Sequence, residues 1–191
     1  LAQRGPLARA GDHSGALVPR AGRLLSRSVP QAEVQAGFCF DPARPVPTIG
    51  GSVTSGEPLM VAGAYDQRTH DGLFGAQAPF GPLAGRDDVL VFQTPPLDSD
   101  VEITGPVTIA LWVSSTAPDT DFTAKLIDQY PPSEDYPEGY AMNLTDGILR
   151  CRYRDSWEEP GLMAPGEVVE ITIEPMPCLL YTSPSPRDLS T

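Results

Sequence analysis

Apolar and polar positions alternate in several short runs along the middle of the chain. In Val107–Val113, the apolar Val107, Ile109, Leu111 and Val113 alternate with Thr108, Ala110 and Trp112. A period of two places one set on one face of a strand. Phe122, Ala124 and Leu126 alternate with Thr123, Lys125 and Ile127, and Leu149, Cys151 and Tyr153 with Arg150, Arg152 and Arg154. Val169, Ile171 and Ile173 alternate with Glu170, Thr172 and Glu174, and Val89–Phe92 is a further β-rich run. Turn signals separate these runs: Pro95-Pro96, Gly105-Pro106, Pro131-Pro132, Asp146-Gly147, Pro160-Gly161 and Pro165-Gly166. No helix-period stretch is comparably clear, and no internal repeat is evident. Five or more short strands at such spacing predict an all-β, antiparallel sandwich.

Composition supports that class. The chain has 191 residues, 22 of them Pro and 18 Gly, which excludes a helical bundle. Forty per cent apolar content is enough for a core. No stretch approaches 18 apolar residues, so no membrane-spanning helix is predicted and a soluble protein is expected. The net charge of −12 argues against a nucleic-acid partner. Of the 13 basic residues only Lys125 is lysine, which with abundant Ala, Gly and Pro points to a GC-rich coding sequence; a bacterial source is expected.

The charge is uneven, and its steps divide the chain. Residues 1–44 carry a net +3, residues 45–177 a net −15, and residues 178–191 a net of zero. Shifts of this size mark boundaries. No apolar core follows the arginines of the first segment, so it does not read as a targeting peptide. The chain starts at Leu1 and reads as a cut inside a longer protein, with any signal peptide upstream.

Candidate chemistry is sparse. His13 and His70 with Cys39, Cys151 and Cys178 give no zinc-site spacing, and Cys39 and Cys151 read as buried structural thiols. No Gly-x-Ser-x-Gly elbow is present; Gly50-Gly51-Ser52-Val53-Thr54 fails at its last position. Asp12-His13-Ser14 holds triad residue types, but only as sequence neighbours. Asp66, Arg68, His70 and Asp71 read as a polar loop, and Asp119-Thr120-Asp121 as a turn that caps a strand start. Glu134, Asp135 and Glu138 sit in a Pro-rich, solvated loop without the spacing of a calcium site. No cofactor or metal is expected. Asn143-Leu144-Thr145 fits a glycosylation acceptor, a triplet common by chance. The strongest candidate is Arg150, Arg152 and Arg154. On one strand face their guanidinium groups would project about 6–7 Å apart and could dock on acidic groups of a neighbouring domain. The competing reading is an exposed face paired with local Glu.

Ordered motifs add to this reading. Phe40-Asp41-Pro42-Ala43-Arg44-Pro45-Val46-Pro47-Thr48-Ile49-Gly50-Gly51 resembles the entry motif of cocaine-esterase-like and X-prolyl dipeptidyl-peptidase-like serine hydrolases, the CocE/NonD family. Asp66-Gln67-Arg68, Asp87–Val91, Glu102–Val113, Asp119–Leu126, Asn143–Arg150, Tyr153–Ser156 and Pro165-Gly166-Glu167 resemble the same family in the same order. The resemblance spans residues 22–177, and residues 1–21 depart from it. It implies a parent with an α/β-hydrolase domain, a helical cap and a C-terminal jelly roll of the galactose-binding-like kind. This chain resembles only the jelly roll and the segment leading into it, so no triad residue falls on any position here. The implied partner is the parent's own hydrolase domain, and the implied substrate of that parent is a small ester, amide or dipeptidyl compound. The resemblance implies that residues 1–44 lead out of that domain and 45–177 form a jelly roll truncated at its C-terminal end. Cys178–Asp188 resembles the in-frame translation of a transposase-type sequencing adapter, so residues 178–191 read as a non-native tail. The alternative function is an independent carbohydrate-binding sandwich, which rests on fold analogy; no exposed aromatic platform can be assigned from sequence.

Overall fold

The computed structural model describes residues 17–20, 23–27, 35–56 and 59–178. Among these residues the chain is all-β, with antiparallel strands and no α-helix, the class the alternation predicts. Among the described residues no helix is long and apolar enough to cross a membrane. The strands are β1 (Val18–Arg20), β2 (Leu24–Ser26), β3 (Ile109–Val113), β4 (Asp121–Tyr130), β5 (Tyr140–Arg150), β6 (Val169–Ile173) and β7 (Met176–Pro177). They form a β1–β2 pair, a β3–β6 pair and a three-stranded sheet in the order β4–β5–β7. Two 3₁₀ turns, Leu83–Gly85 and Cys151–Tyr153, complete the regular structure.

The chain divides into two compact units. The first comprises residues 1–40, 87–122 and 148–174. Its centre is the antiparallel β3–β6 ladder, in which Ile109 faces Ile173, Leu111 faces Ile171 and Val113 faces Val169. These are the apolar sets of the two predicted alternations, brought into register so that each pair lies on one face. Ile171 and Ile173 are 1% exposed, and Val113, Cys151 and Met163 join them in the core. The Val89–Phe92 run forms no strand. The next residue is tied to another segment: Gln93 O accepts from Leu25 N–H at 2.7 Å, and Gln93 N–H donates to Arg23 O at 3.0 Å.

The second unit comprises residues 41–86, 123–147 and 175–191. It holds most of the β4–β5–β7 sheet, and isolated backbone bridges tie its other segments. Gly51 and Gly63 exchange two hydrogen bonds of 2.8 and 2.9 Å. Gly50 has φ +61°, and a Cβ there would overlap the Gly63 carbonyl oxygen, so the Gly-Gly pair is needed for this close approach. Gln67 and Asn143 are buried among these segments. Gln67 Nε2 donates to the carbonyls of Ile49 and Tyr65. Asn143, the predicted glycosylation acceptor, is 0% exposed, so the folded chain presents no acceptor there. β7 adds to β5 through Thr145↔Pro177 and Asp146↔Met176. The next residue, Cys178, is buried and donates its N–H to Leu144 O at 2.9 Å. Residues 179–191 of the predicted foreign tail lie outside the described residues, as does Asp12-His13-Ser14.

Candidate functional site

The arginine set lies in the first unit, but its geometry differs from the expected one. β5 ends at Arg150, and Cys151–Tyr153 turn into a 3₁₀ helix. The cause is a pair of hydrogen bonds from the 119–120 segment. Thr120 O takes the Cys151 N–H at 2.9 Å, and the Asp119 carboxylate takes the Arg152 N–H at 3.0 Å. The backbone therefore leaves the strand although the side chains keep alternating in sequence. Arg150, Arg152 and Arg154 do not form a stripe on one strand face.

Each arginine instead has its own partners. Arg150 grips Asp121 with two bonds of 2.8 and 2.9 Å. Arg152 Nε donates to Asp119 Oδ2 at 2.6 Å. Arg154 Nη1 donates to the carbonyls of Cys151 at 3.1 Å and Gly161 at 2.7 Å. Its Nε also lies 3.2 Å from Asp155 Oδ2. Asp119 and Asp121, read from sequence as a turn, are thus partners of Arg152 and Arg150, in place of the local Glu of the competing reading. Burial alone would raise the Asp119 pKa, but its bonds from Arg152 outweigh that and hold it below the usual carboxylate value. Burial, reinforced by Asp119, pushes the Cys151 thiol up to about 11, which leaves it protonated and unreactive at neutral pH. Cys39 is exposed, contrary to the buried thiol expected from its sequence context.

A pH dependence follows from Asp119. Protonating it costs more in the folded chain than in the unfolded one. Stability therefore rises with pH below the ordinary value of 3.8, and the contribution is lost as pH falls through the depressed folded value. Thermal melts between about pH 2.5 and pH 6 should show a declining Tm at the acid end. Asp119→Asn should have a lower Tm than the parent at pH 6 and a flatter acid slope.

These contacts brace a loop that sequence reading missed. Gly161 N–H donates to Arg152 O at 2.8 Å, closing the segment 152–161. Inside it, Ser156 Oγ accepts the N–H groups of Glu158 and Glu159 at 3.2 and 3.1 Å. Trp157, at the loop's tip, is 73% exposed, and its ring stacks on Tyr153 with centroids 5.3 Å apart and planes 21° apart. An exposed aromatic platform therefore exists. The available signal was a Trp between Ser156 and two Glu residues just before Pro160-Gly161, a turn context where a core Trp is out of place.

Asp66, Arg68, His70, Asp71 and the loop 134–138 lie in the second unit. Arg68 pairs with Glu138 at 2.8 Å, and Asp66 Oδ1 accepts the Ala141 N–H at 3.0 Å. His70 Nδ1 accepts from Gly72 N–H at 3.2 Å. Among the described residues no group of His, Cys, Asp and Glu is placed to hold a metal. The loop between β4 and β5 carries an aromatic cluster, Tyr136 against Tyr140 at 4.8 Å and Tyr130 against Tyr140 at 6.3 Å. Gly50-Gly51-Ser52 is followed by extended chain and bends, not by the helix that a nucleophile elbow requires.

The model of the X-Pro dipeptidyl-peptidase C-terminal non-catalytic domain matches residues 54–182. The cocaine esterase of Rhodococcus sp. (strain MB1 Bresler) is 39% identical over 166 residues, 86% of this chain and 25% of that protein. The chain thus spans about a quarter of the length of this curated relative. With an all-β fold, no elbow and a matching family model over most of its length, the chain belongs to the family of X-Pro dipeptidyl-peptidase C-terminal non-catalytic domains, found in hydrolases of the CocE/NonD kind.

Proposed function

We propose that this chain is the non-catalytic C-terminal jelly roll of a serine hydrolase, packing on the catalytic α/β domain and helping to wall its substrate cleft. The parent's substrate would be a small ester, amide or X-prolyl dipeptidyl compound. In that parent a serine from the preceding domain would attack the carbonyl, with a histidine as base and an oxyanion hole receiving the charge. The observation that carries the reading is the family match over residues 54–182 together with similarity to only 25% of the esterase. Arg150 is the member of the arginine set best placed for a docking contact, because its side chain remains 52% exposed beside Asp121. Arg152 and Arg154 act through the loop they hold.

A fluorophosphonate probe tests the division of labour. The 191-residue chain should remain unlabelled, while the full-length parent should be labelled at one serine upstream of it. Specific labelling of a serine within this chain would overturn the reading.

A further inference from the structure

We infer that the Trp157 loop is the anchor by which this domain docks on the catalytic part of its parent, against a basic, arginine- or lysine-bearing surface. The inference rests on the proposed function and names the contact that serves it.

The loop combines exposure with order. Trp157 is the most exposed of the large apolar side chains described, yet it does not sit on a loose segment. The Arg154 guanidinium, only 15% exposed, ties both ends of the loop through the Cys151 and Gly161 carbonyls. The Gly161–Arg152 backbone bond closes its neck, and the Ser156 hydroxyl fixes the turn that follows Trp157. Tyr153 covers one face of the indole and leaves the other open. An aromatic anchor already held in one orientation loses little freedom on docking. Residues of this kind, central and aromatic, dominate protein interfaces.

Charge selects the partner. Glu158 and Glu159 follow the indole in sequence and are exposed, and Asp155 precedes it with its side chain 76% exposed. The open face of an indole carries the negative end of its quadrupole, which attracts a cation. Carboxylates and ring thus favour the same occupant, a guanidinium or ammonium group. The Arg152–Asp119 and Arg154 contacts are spent within the domain, so these two arginines serve to aim the tryptophan.

Hydroxyl-radical footprinting with mass spectrometry reads Trp157 directly, in this chain and in the full-length enzyme that carries it. Trp157 should oxidise at least about tenfold more slowly in the full-length enzyme, as expected for a buried anchor. Trp157→Ala and the double charge reversal Glu158→Lys/Glu159→Lys should each split a single unfolding transition of that enzyme into two. If the enzyme unfolds as one unit while Trp157 oxidises as fast as in the isolated chain, the anchor assignment alone is overturned. If it unfolds as two independent units with Trp157 equally reactive, the docking role falls as well. Saturable binding of a simple methyl glycoside to this chain, abolished by Trp157→Ala, would assign the platform to a sugar and overturn the docking assignment.

Discussion

Ile171→Ala should destabilise the domain by about 2–5 kcal/mol, the range for deleting a large aliphatic side chain from a packed core. Ile171 is 1% exposed and stands in the middle of β6, directly opposite Leu111 of β3. Its neighbours along the ladder, Ile109↔Ile173 and Val113↔Val169, are themselves apolar pairs. A truncated side chain there leaves a void that a five-residue, two-stranded ladder cannot close by sliding, because a one-residue slip would turn the apolar set outward. Marginal domains have only about 5–15 kcal/mol in total, so the variant should unfold at much lower denaturant concentration. Ile171→Val, which removes one methylene, should cost only about 0.5–1.5 kcal/mol. Urea titration of the three proteins checks this. Equal midpoints would show that Ile171 does not sit in a cooperative core.

Arg154→Leu should cost about 1.5–3 kcal/mol, the range for a hydrogen bond to a charged group. Two contributions compete. The ion pair with Asp155 is weak, because that carboxylate is 76% exposed and water screens it. The bonds to the Cys151 and Gly161 carbonyls matter more, because they leave from a largely buried guanidinium. Cys151 O keeps a second donor, the Arg154 N–H at 3.2 Å, so the Gly161 carbonyl bears most of the loss. Asp155→Asn should therefore change stability by less than about 0.5 kcal/mol. Arg154→Lys should rescue only in part, since Nη1 alone donates to both carbonyls and the lysine nitrogen ends one bond short of that position. Denaturation midpoints of the three variants separate the contributions, and a large effect of Asp155→Asn would reverse the ranking.

The sequence alternation located the core strands well where one face is buried and the other exposed. β6 spans Val169–Ile173, the alternating run itself, and β3 covers all but the first two residues of its run. The reading failed where the backbone's partners, not its side chains, decide. Leu149, Cys151 and Tyr153 keep period two, yet Thr120 O and the Asp119 carboxylate draw the Cys151 and Arg152 N–H groups away from a ladder. No periodicity records where a distant carboxylate will lie. β5 was legible only through its motifs, because most of its residues are partly buried on both faces and the polar–apolar contrast is weak. β1, β2 and β7 are two or three residues long, too short for a period to register. For the site, pairing of the arginines within the domain was legible as one of two readings, although its partners are Asp119 and Asp121 and not the Glu it named. The loop they hold was not, since its closure depends on contacts between residues 119 and 152 and between residues 154 and 161.

The β3–β6 ladder also sets a timetable for synthesis. Val113 pairs with Val169, and among the described residues β6 is the strand that completes that register. At roughly 5–20 residues per second, β3 leaves the ribosome several seconds before its partner exists. During that interval a β-branched, apolar edge is open to other nascent chains, the exposure that long-range pairing imposes. The vulnerable moment in producing this domain is therefore the delay before β6 emerges, and slower translation between residues 113 and 169 lengthens it.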